Sequence, residues 1–274
     1  MRQLSIYFFT AFMAIFFLYT QDADAQISEP PVLETPRNIS SLPELYSSGL
    51  GLNVQMNNFG FGIGGDYRRV LGNQTELTVS LRLTSISDDS EQTFNDVFFG
   101  QQIVPNKFQR AFGAPLLIGL RYRLLPDLIQ EDYRFFVSAA IGPSAGLTIP
   151  YFDDINNNGF REQFQNFFEP VNDIFSGWSE GEFHWGGAGE FKIGVDIGSN
   201  FARLSSVEFG YYFYYYPDGL QIMMPNQPIR RENIRPGEFP FELQPNGELA
   251  LKPFFEPERF FGTPQISFVF GRLW

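Results

Sequence analysis

The chain has 274 residues, of which 43% are hydrophobic, 18% are aromatic and only 18% are charged, and it contains no cysteine. The lack of cysteine excludes disulfide frameworks, zinc ribbons and thiol nucleophiles. The formal net charge of -12 argues against nucleic acid as a partner, because phosphate backbones are bound by clustered Lys and Arg. So few charges beside so many aromatic residues are typical neither of a disordered chain nor of an ordinary soluble surface.

The first 25 residues have the features of a cleavable signal peptide. Arg2 supplies a positive charge, the stretch 4–19 is apolar, and Ala23 and Ala25 are small residues at the cleavage positions. A membrane anchor is the alternative, but the apolar stretch is shorter than the roughly 20 residues that a spanning helix needs. We therefore expect cleavage after Ala25.

Beyond residue 47, eight segments alternate apolar residues with small or polar ones at a period of two, which is typical of β-strands with two different faces. In the first segment, Leu50, Leu52 and Val54 alternate with Gly51 and Asn53. Most segments are close to the roughly 9 to 11 residues that a tilted strand needs to cross a bilayer. The segments are 50–56, 59–67, 77–83, 116–124, 133–141, 183–197, 207–215 and 266–274.

The connections between these segments alternate in length after a short first hairpin. Short links at 72–74, 126–132 and 198–202 alternate with long ones at 87–111, 149–182 and 217–260. Short turns at one end and long loops at the other are typical of outer-membrane barrels. The pattern predicts an all-β protein, an eight-stranded antiparallel transmembrane β-barrel built as an up-and-down meander, with long extracellular loops.

The segment 26–47 contains four prolines and no alternation, so we interpret it as an extended periplasmic lead-in to a barrel at 48–274. We therefore expect both termini to be periplasmic and the chain to be an integral protein of a bacterial outer membrane.

Charge and aromatic residues are distributed as this topology requires. The ranges 88–110, 153–182 and 218–259 carry net charges of -2, -6 and -2, whereas the remainder of the chain after Ala25 is nearly neutral. Aromatic residues near both ends of the spans are typical of girdles at membrane interfaces, although ordinary strand aromatics are the alternative. The predicted girdles are Tyr67, Tyr122, Tyr133 and Trp274 at one end, and Phe59, Phe112, Trp185 and Tyr215 at the other.

The leader, the eight alternating segments and the last nine residues resemble the small outer-membrane β-barrel family of Gram-negative bacteria, the OmpA/OmpX-like proteins. In that family, a terminal aromatic residue preceded by alternate apolar positions is the signal that the barrel-assembly machinery reads. Phe268, Phe270 and Trp274 match this signal, as does Ile266, whereas Arg272 departs from it. The resemblance covers residues 48–274 and implies outer-membrane lipid and the assembly machinery as partners.

Charged residues of both signs lie on the strand face that the pattern turns inward. An eight-stranded barrel is just wide enough for side chains to fill it, so we interpret these residues as an interior ion-pair network that satisfies buried charge. A narrow ion path is the alternative. The ten residues are Asp66, Arg68, Glu76, Arg82, Arg121, Arg123, Glu190, Lys192, Asp196 and Glu208.

Asp154, Asn156, Asn158 and Gly159 repeat the first half of a calcium loop, in which oxygen ligands at alternate positions precede a turn-making glycine. The twelfth position is Gln165, where such loops have a bidentate Glu. A polar Asn-Gly turn is therefore the alternative to a calcium site. No other cofactor is suggested by the sequence.

The only histidine, His184, lies at the predicted outer rim near Ser179 and Glu182. Barrel-borne lipid A deacylases and rim proteases use a rim histidine together with Ser or acidic partners. Neither pattern is matched residue for residue. A lone histidine beside Trp185 is more often a hydrogen-bonding group of the rim.

The range 239–251 contains Asn246-Gly247 between two short alternating runs, which predicts a hairpin. The hairpin could add two strands to the barrel, but its arms are short. In addition, Pro240, Pro245 and Pro253 have no backbone N–H to donate to a neighbouring strand. We expect a hairpin that stands above the membrane and offers apolar residues to a partner.

The favoured function is a non-enzymatic surface barrel that binds an extracellular or envelope protein through its long acidic loops, or stiffens the envelope. A small porin-like pore is the second hypothesis, and a rim-located lipid or peptide hydrolase is the third. The ligand, the partner and the oligomeric state are left open by the sequence.

Overall fold

A computed structural model of the protein describes residues 46–274, apart from 93, 96–101, 125–132, 165–166, 174–176, 199–201 and 236. The predicted signal peptide and nearly all of the lead-in lie outside the described residues. Eight strands of the described part form one closed barrel. They are β1 (Ser48–Asn57), β2 (Gly60–Val70), β3 (Thr75–Ile86), β4 (Gln109–Arg123), β5 (Tyr133–Pro150), β6 (Glu182–Ile197), β7 (Arg203–Leu220) and β8 (Glu258–Leu273).

Each barrel strand pairs antiparallel with its neighbour in sequence, and β1 pairs with β8 to close the barrel. The prediction of an all-β, up-and-down meander of eight antiparallel strands is confirmed. Closure pairs every barrel strand on both sides, so the barrel has no open edge. We call the end that holds Ser48 and Leu273 the terminal end, and the opposite end the far end.

The connections differ between the two ends. Ranges 71–74, 124–132 and 198–202 join strands at the terminal end, whereas 58–59, 87–108, 151–181 and 221–257 join them at the far end. The far-end connections contain the short paired strands Phe94–Asn95 with Gln102–Ile103, Gln163–Phe164 with Phe167–Phe168, and Asn226–Pro228 with Leu251–Pro253, and the 3-10 turn Trp178–Glu180.

A bridge between Leu243 and Leu249 closes a hairpin around Asn246-Gly247. This hairpin lies outside the eight-stranded barrel. Across the described ranges, no helix combines the length and the apolar character needed to span a membrane.

Burial alternates along the strands, because successive side chains of a strand point to opposite faces. In β1, Asn53 and Gln55 are buried, whereas Leu52 and Met56 are exposed. The same arrangement recurs around the barrel, with apolar side chains outward and polar ones inward. Exposed outward residues, one from each strand in order, are Leu52, Ile63, Leu81, Ile118, Phe135, Ile193, Phe209 and Phe270.

Two predictions about strand ends were wrong. Phe59, expected in an aromatic girdle, is buried and packs in the interior cluster. The last strand begins at Glu258 rather than near Ile266. Its first part showed no alternation, because Phe260 faces outward and Phe261 faces inward, so that both faces carry a large apolar residue.

Candidate functional site

The ten charged residues that the sequence pattern turned inward lie together in the barrel interior, and all are buried. Five are basic and five are acidic, so their formal charges cancel. Buried charges are tolerated in proteins when they are paired and hydrogen-bonded.

Arg82 is the centre of one group of these charges. Its Nη1 and Nη2 atoms lie 2.5 Å and 2.9 Å from the two carboxylate oxygens of Glu190. The Nζ atom of Lys192 lies 3.0 Å from Glu190 and 2.6 Å from Glu208. Asp66 lies 3.8 Å from Arg82. This group links β2, β3, β6 and β7.

Arg121 is the centre of the second group. It contacts Asp196, and its Nε atom lies 3.4 Å from Glu76. Arg123 donates a 3.0 Å hydrogen bond to the same glutamate. The guanidinium carbon of Arg121 lies 3.2 Å from the centre of the Phe136 ring, so a buried aromatic ring covers the charge. Phe136 was not among the residues predicted to face inward, although it lies two positions before the buried Ser138 on the same strand face.

Arg68 joins the two groups, because it lies 3.9 Å from Asp196 and 3.6 Å from Glu208. A cavity of about 10 Å³ between the groups is lined by Asp66, Arg68, Thr78, Ser80, Arg121, Ser138, Ala140, Glu190, Lys192 and Glu208. A cavity of this size holds about one water molecule. This part of the interior therefore has no room for an organic ligand.

Towards the far end the interior becomes aromatic. Tyr212, Tyr214 and Tyr216 point inward from β7, with ring centres 4.9 Å and 6.1 Å apart. Phe261 on β8 packs against Tyr216 at 6.3 Å. Arg82 lies 5.8 Å from the ring centre of Tyr212, so the charged and aromatic layers touch. This layer was not predicted from the sequence, although the aromatic run 211–216 indicated it.

Backbone hydrogen bonds join separate far-end connections. The amide of Met224 donates to the carbonyl of Asn106 at 2.8 Å, and the amide of Phe108 donates to the carbonyl of Ile222 at 2.8 Å. The amide of Tyr151 in turn donates to the carbonyl of Phe108 at 2.9 Å. We call the described residues of 104–108, 151–181 and 221–257 the cap.

The cap also has apolar residues of its own that are buried, among them Phe152, Met223 and Leu249. The side-chain amide of Asn226 donates to the carbonyl of Asn158 at 2.8 Å and joins two of its segments. Buried side chains together with hydrogen bonds between segments indicate a packed surface rather than independent loops.

The candidate calcium loop is a hydrogen-bonded turn. The two carboxylate oxygens of Asp154 accept the backbone N–H groups of Asn158 and Gly159, at 3.0 Å and 2.8 Å. The amide nitrogens of Asn156 and Asn158 each donate to Glu162 at 2.9 Å.

Calcium requires several oxygens directed at a common point. The described residues contain no group of three or more acidic or histidine side chains that could hold a metal, and Gln165 lies outside them. In this arrangement the carboxylate oxygens of Asp154 accept local N–H groups, and a calcium site at Asp154, Asn156 and Asn158 stays a prediction.

Glu169 is the buried carboxylate of this part of the cap. It accepts the backbone N–H groups of Ile155 at 3.0 Å and of Glu162 at 2.7 Å. Burial raises the pKa of Glu169 above its ordinary value, and the two hydrogen bonds only partly oppose this effect. The side chain thus ties together separate parts of the cap segment 151–181.

His184 lies at the far-end rim of β6. Its Nε2 atom is 3.1 Å from the hydroxyl oxygen of Thr148 on β5. Ser179 and Glu182 are exposed, and within the described ranges neither forms a hydrogen bond with His184. The structure brings the histidine together with a hydroxyl group rather than with the two partners considered in the sequence analysis.

The predicted assembly signal lies where the barrel closes. Phe268 and Phe270 are on β8 opposite Val54 and Leu52 of β1. The carbonyl of Trp274 accepts the amide of Ser48 at 3.1 Å, and the Trp274 ring is exposed. The residues that the resemblance assigns to assembly therefore belong to the closing strand pair.

In comparisons with known proteins, neither a protein-family model nor a curated protein sequence matches this chain. The closed eight-stranded barrel agrees with the architecture that the resemblance implies. Membership of the OmpA/OmpX-like family stays a prediction.

Proposed function

We propose that this protein is a non-enzymatic, OmpA/OmpX-like barrel of the bacterial outer membrane that binds an extracellular or envelope protein through its cap. The observation that carries the proposal is the band of exposed apolar side chains around all eight strands. Soluble monomers rarely expose contiguous apolar patches larger than a few hundred Å².

The two faces of the barrel are reversed relative to a soluble protein. Large side chains such as Phe61, Phe183 and Trp185 are more than two-thirds exposed, whereas Arg82 and Arg121 are fully buried. Lipid tails are the solvent that favours an apolar exterior, and a closed ladder leaves no backbone group unpaired in that solvent. We therefore expect the exterior to contact lipid.

The terminal end is then periplasmic and the cap faces the outside of the cell. The far-end connections carry most of the net negative charge of the chain after Ala25, which suits segments in water rather than in lipid. Recognition through the cap is supported by its packing, since a preorganised surface loses less conformational freedom on binding. The filled interior counts against a small pore.

The membrane part of the proposal is tested by matched charge insertions. Ile118→Arg places a charge in the outward band, whereas Ile155→Arg places one on the cap, where the isoleucine is also exposed. In bilayers, we expect Ile118→Arg to lower the free energy of unfolding by about 2–4 kcal/mol and Ile155→Arg to leave it unchanged. Equal, small effects would mean that the outward band does not contact lipid.

The recognition part is tested by replacing 153–180 or 228–256 with short Gly-Ser connectors. Surface segments contribute little to barrel closure, so both variants should keep the heat-modifiable gel migration of a closed barrel. At least one should lose capture of the native envelope partner. Capture of the partner by both variants would mean that the replaced cap segments do not carry recognition.

A further inference from the structure

Arg203 and Arg272 lie directly opposite each other in the register of β7 and β8, at the terminal end. Both side chains are exposed, whereas the next residue of each strand, Leu204 or Leu273, is buried. Successive side chains of a strand point to opposite faces. Both guanidinium groups therefore lie on the outer wall of the barrel.

These two positive charges have no acidic partner within the ranges that the structure describes. The ion pairs there belong to the interior network and to Lys107 with Glu91. Like charges that face each other across two antiparallel strands are destabilising. An anion held between Arg203 and Arg272 would replace this repulsion by two attractions.

The surface between the arginines has room for such an anion. An open depression of about 500 Å³ is lined by Ala202, Arg203, Gly271 and Arg272. Among the described residues of this lining, the two guanidinium groups are the only charged side chains. Guanidinium groups recognise phosphate through paired N–H donors and form charge-assisted hydrogen bonds with it.

The surroundings favour an amphiphile over a free ion. Leu50 lies opposite Arg272 on the β1 side and is 58% exposed, and Phe270 precedes Arg272 on the same face and is 53% exposed. Apolar surface therefore begins directly beside the two charges. A free phosphate ion would use only the arginines, whereas a lipid would place its headgroup there and an acyl chain along Leu50 and Phe270.

We propose that Arg203 and Arg272 bind the headgroup phosphate of an anionic phospholipid in the periplasmic leaflet. The site rests on the proposed function, because lipid reaches this wall only if the barrel spans a membrane. It anchors the terminal end of the barrel at the level of the headgroups and neutralises the opposed arginines.

The test is native mass spectrometry of the protein refolded in a non-ionic detergent, with dimyristoylphosphatidylglycerol, dimyristoylglycerol or inorganic phosphate added. We expect the wild type to retain the phosphatidylglycerol and not the uncharged diacylglycerol. The double variant Arg203→Gln/Arg272→Gln should lower lipid retention about tenfold, since each basic residue near a membrane surface contributes to the attraction of anionic lipid.

Arg231→Gln/Arg235→Gln is the matched control, because it removes the same charge from two exposed arginines of the cap. The site would be overturned by equal loss of phosphatidylglycerol in the two double variants. Wild-type retention of diacylglycerol as strong as that of phosphatidylglycerol, or retention of inorganic phosphate without lipid, would also overturn it. Heat-modifiable migration of the wild type is measured first. If the barrel is absent, the proposed function and the site both fail; if it is present and the variant retains lipid as the wild type does, only the site fails.

Discussion

Arg82 on β3 and Glu190 on β6 form a two-point ion pair across the barrel interior, with N···O distances of 2.5 Å and 2.9 Å. The two strands are separated by β4 and β5 in the closed sheet. The pair therefore connects walls that no backbone hydrogen bond joins. Both side chains are buried, so removing one of them leaves an uncompensated charge in the interior.

We expect Arg82→Met to lower the free energy of unfolding by about 3–5 kcal/mol, the usual cost of breaking a buried ion pair from one side. The double variant Arg82→Met/Glu190→Met should lose less than the sum of the two single variants, by about 0.5–3 kcal/mol. Urea unfolding in liposomes measures both quantities. Arg259→Met, at an exposed position of β8, is the control, and additive losses would show that the pair is not coupled.

Deleting Trp274 should reduce barrel assembly far more than Arg272→Ala does. The Trp274 backbone takes part in the closing strand pair, and its exposed ring suits a membrane interface. Arg272 already departs from the C-terminal assembly signal of the OmpA/OmpX-like family that this chain resembles. The measurement is the heat-modifiable fraction of protein in isolated outer membranes, and equal fractions for the two variants would argue against an assembly signal here.

The local stability of the cap around Glu169 should decrease as the pH rises from about 4, near the ordinary pKa of glutamate, to neutrality. The reason is that the folded cap raises the pKa of Glu169. A raised pKa means that the folded cap binds the proton of Glu169 more tightly than the unfolded chain does, so protonation stabilises the folded cap. This stabilisation is complete at low pH and is lost as the pH rises through the raised pKa of Glu169.

Hydrogen exchange of the Ile155 and Glu162 amides, corrected for intrinsic exchange rates, measures this effect. Both amides donate to the Glu169 carboxylate. Glu169→Gln keeps the shape of the side chain without its ionisation, so its pH dependence should be smaller. An unchanged pH dependence in this variant would show that ionisation of Glu169 does not cause the effect.

Planar bilayers containing the refolded protein should show no steady conductance. The charged layer leaves a cavity of only about 10 Å³ between its two groups, and the tyrosine layer follows it towards the far end. Single-channel recordings at both voltage signs check this expectation. Steady unitary steps in the wild type, altered by Glu190→Gln, would instead favour the pore hypothesis.

Alternation was sufficient to predict the barrel because, in the terminal half, the outward strand face is apolar and the inward face is polar. Leu81 and Arg82 illustrate this, since the first is exposed and the second is buried. In the far half, Phe260 and Phe261 are both aromatic although only the second is buried. Periodicity is lost there, and the start of β8 was missed for that reason.

The contents of the interior were partly predictable from parity, but the partners were not. Strand alternation predicted that Arg82 and Glu190 face inward. Which residues pair across the interior depends on the shear and diameter of the closed sheet, which the sequence of one strand does not give. Asp154 illustrates a different limit, since a sequence motif does not show which atoms its oxygens bond to. Its motif suited calcium, but local N–H groups satisfy its oxygens, since Asp side chains readily bond to nearby backbone.

Because the barrel closes between its first and last strands, β1 is synthesised well before it can pair with β8. The amide of Ser47 donates to the carbonyl of Trp274, and these two residues are 227 positions apart in the chain. During synthesis, β1 emerges long before its second partner, so contacts of this sequence separation form slowly and leave strand edges open to other chains. We expect this chain to depend on a holding chaperone until its barrel closes, with aggregation in a chaperone-depleted translation reaction as the measurable sign.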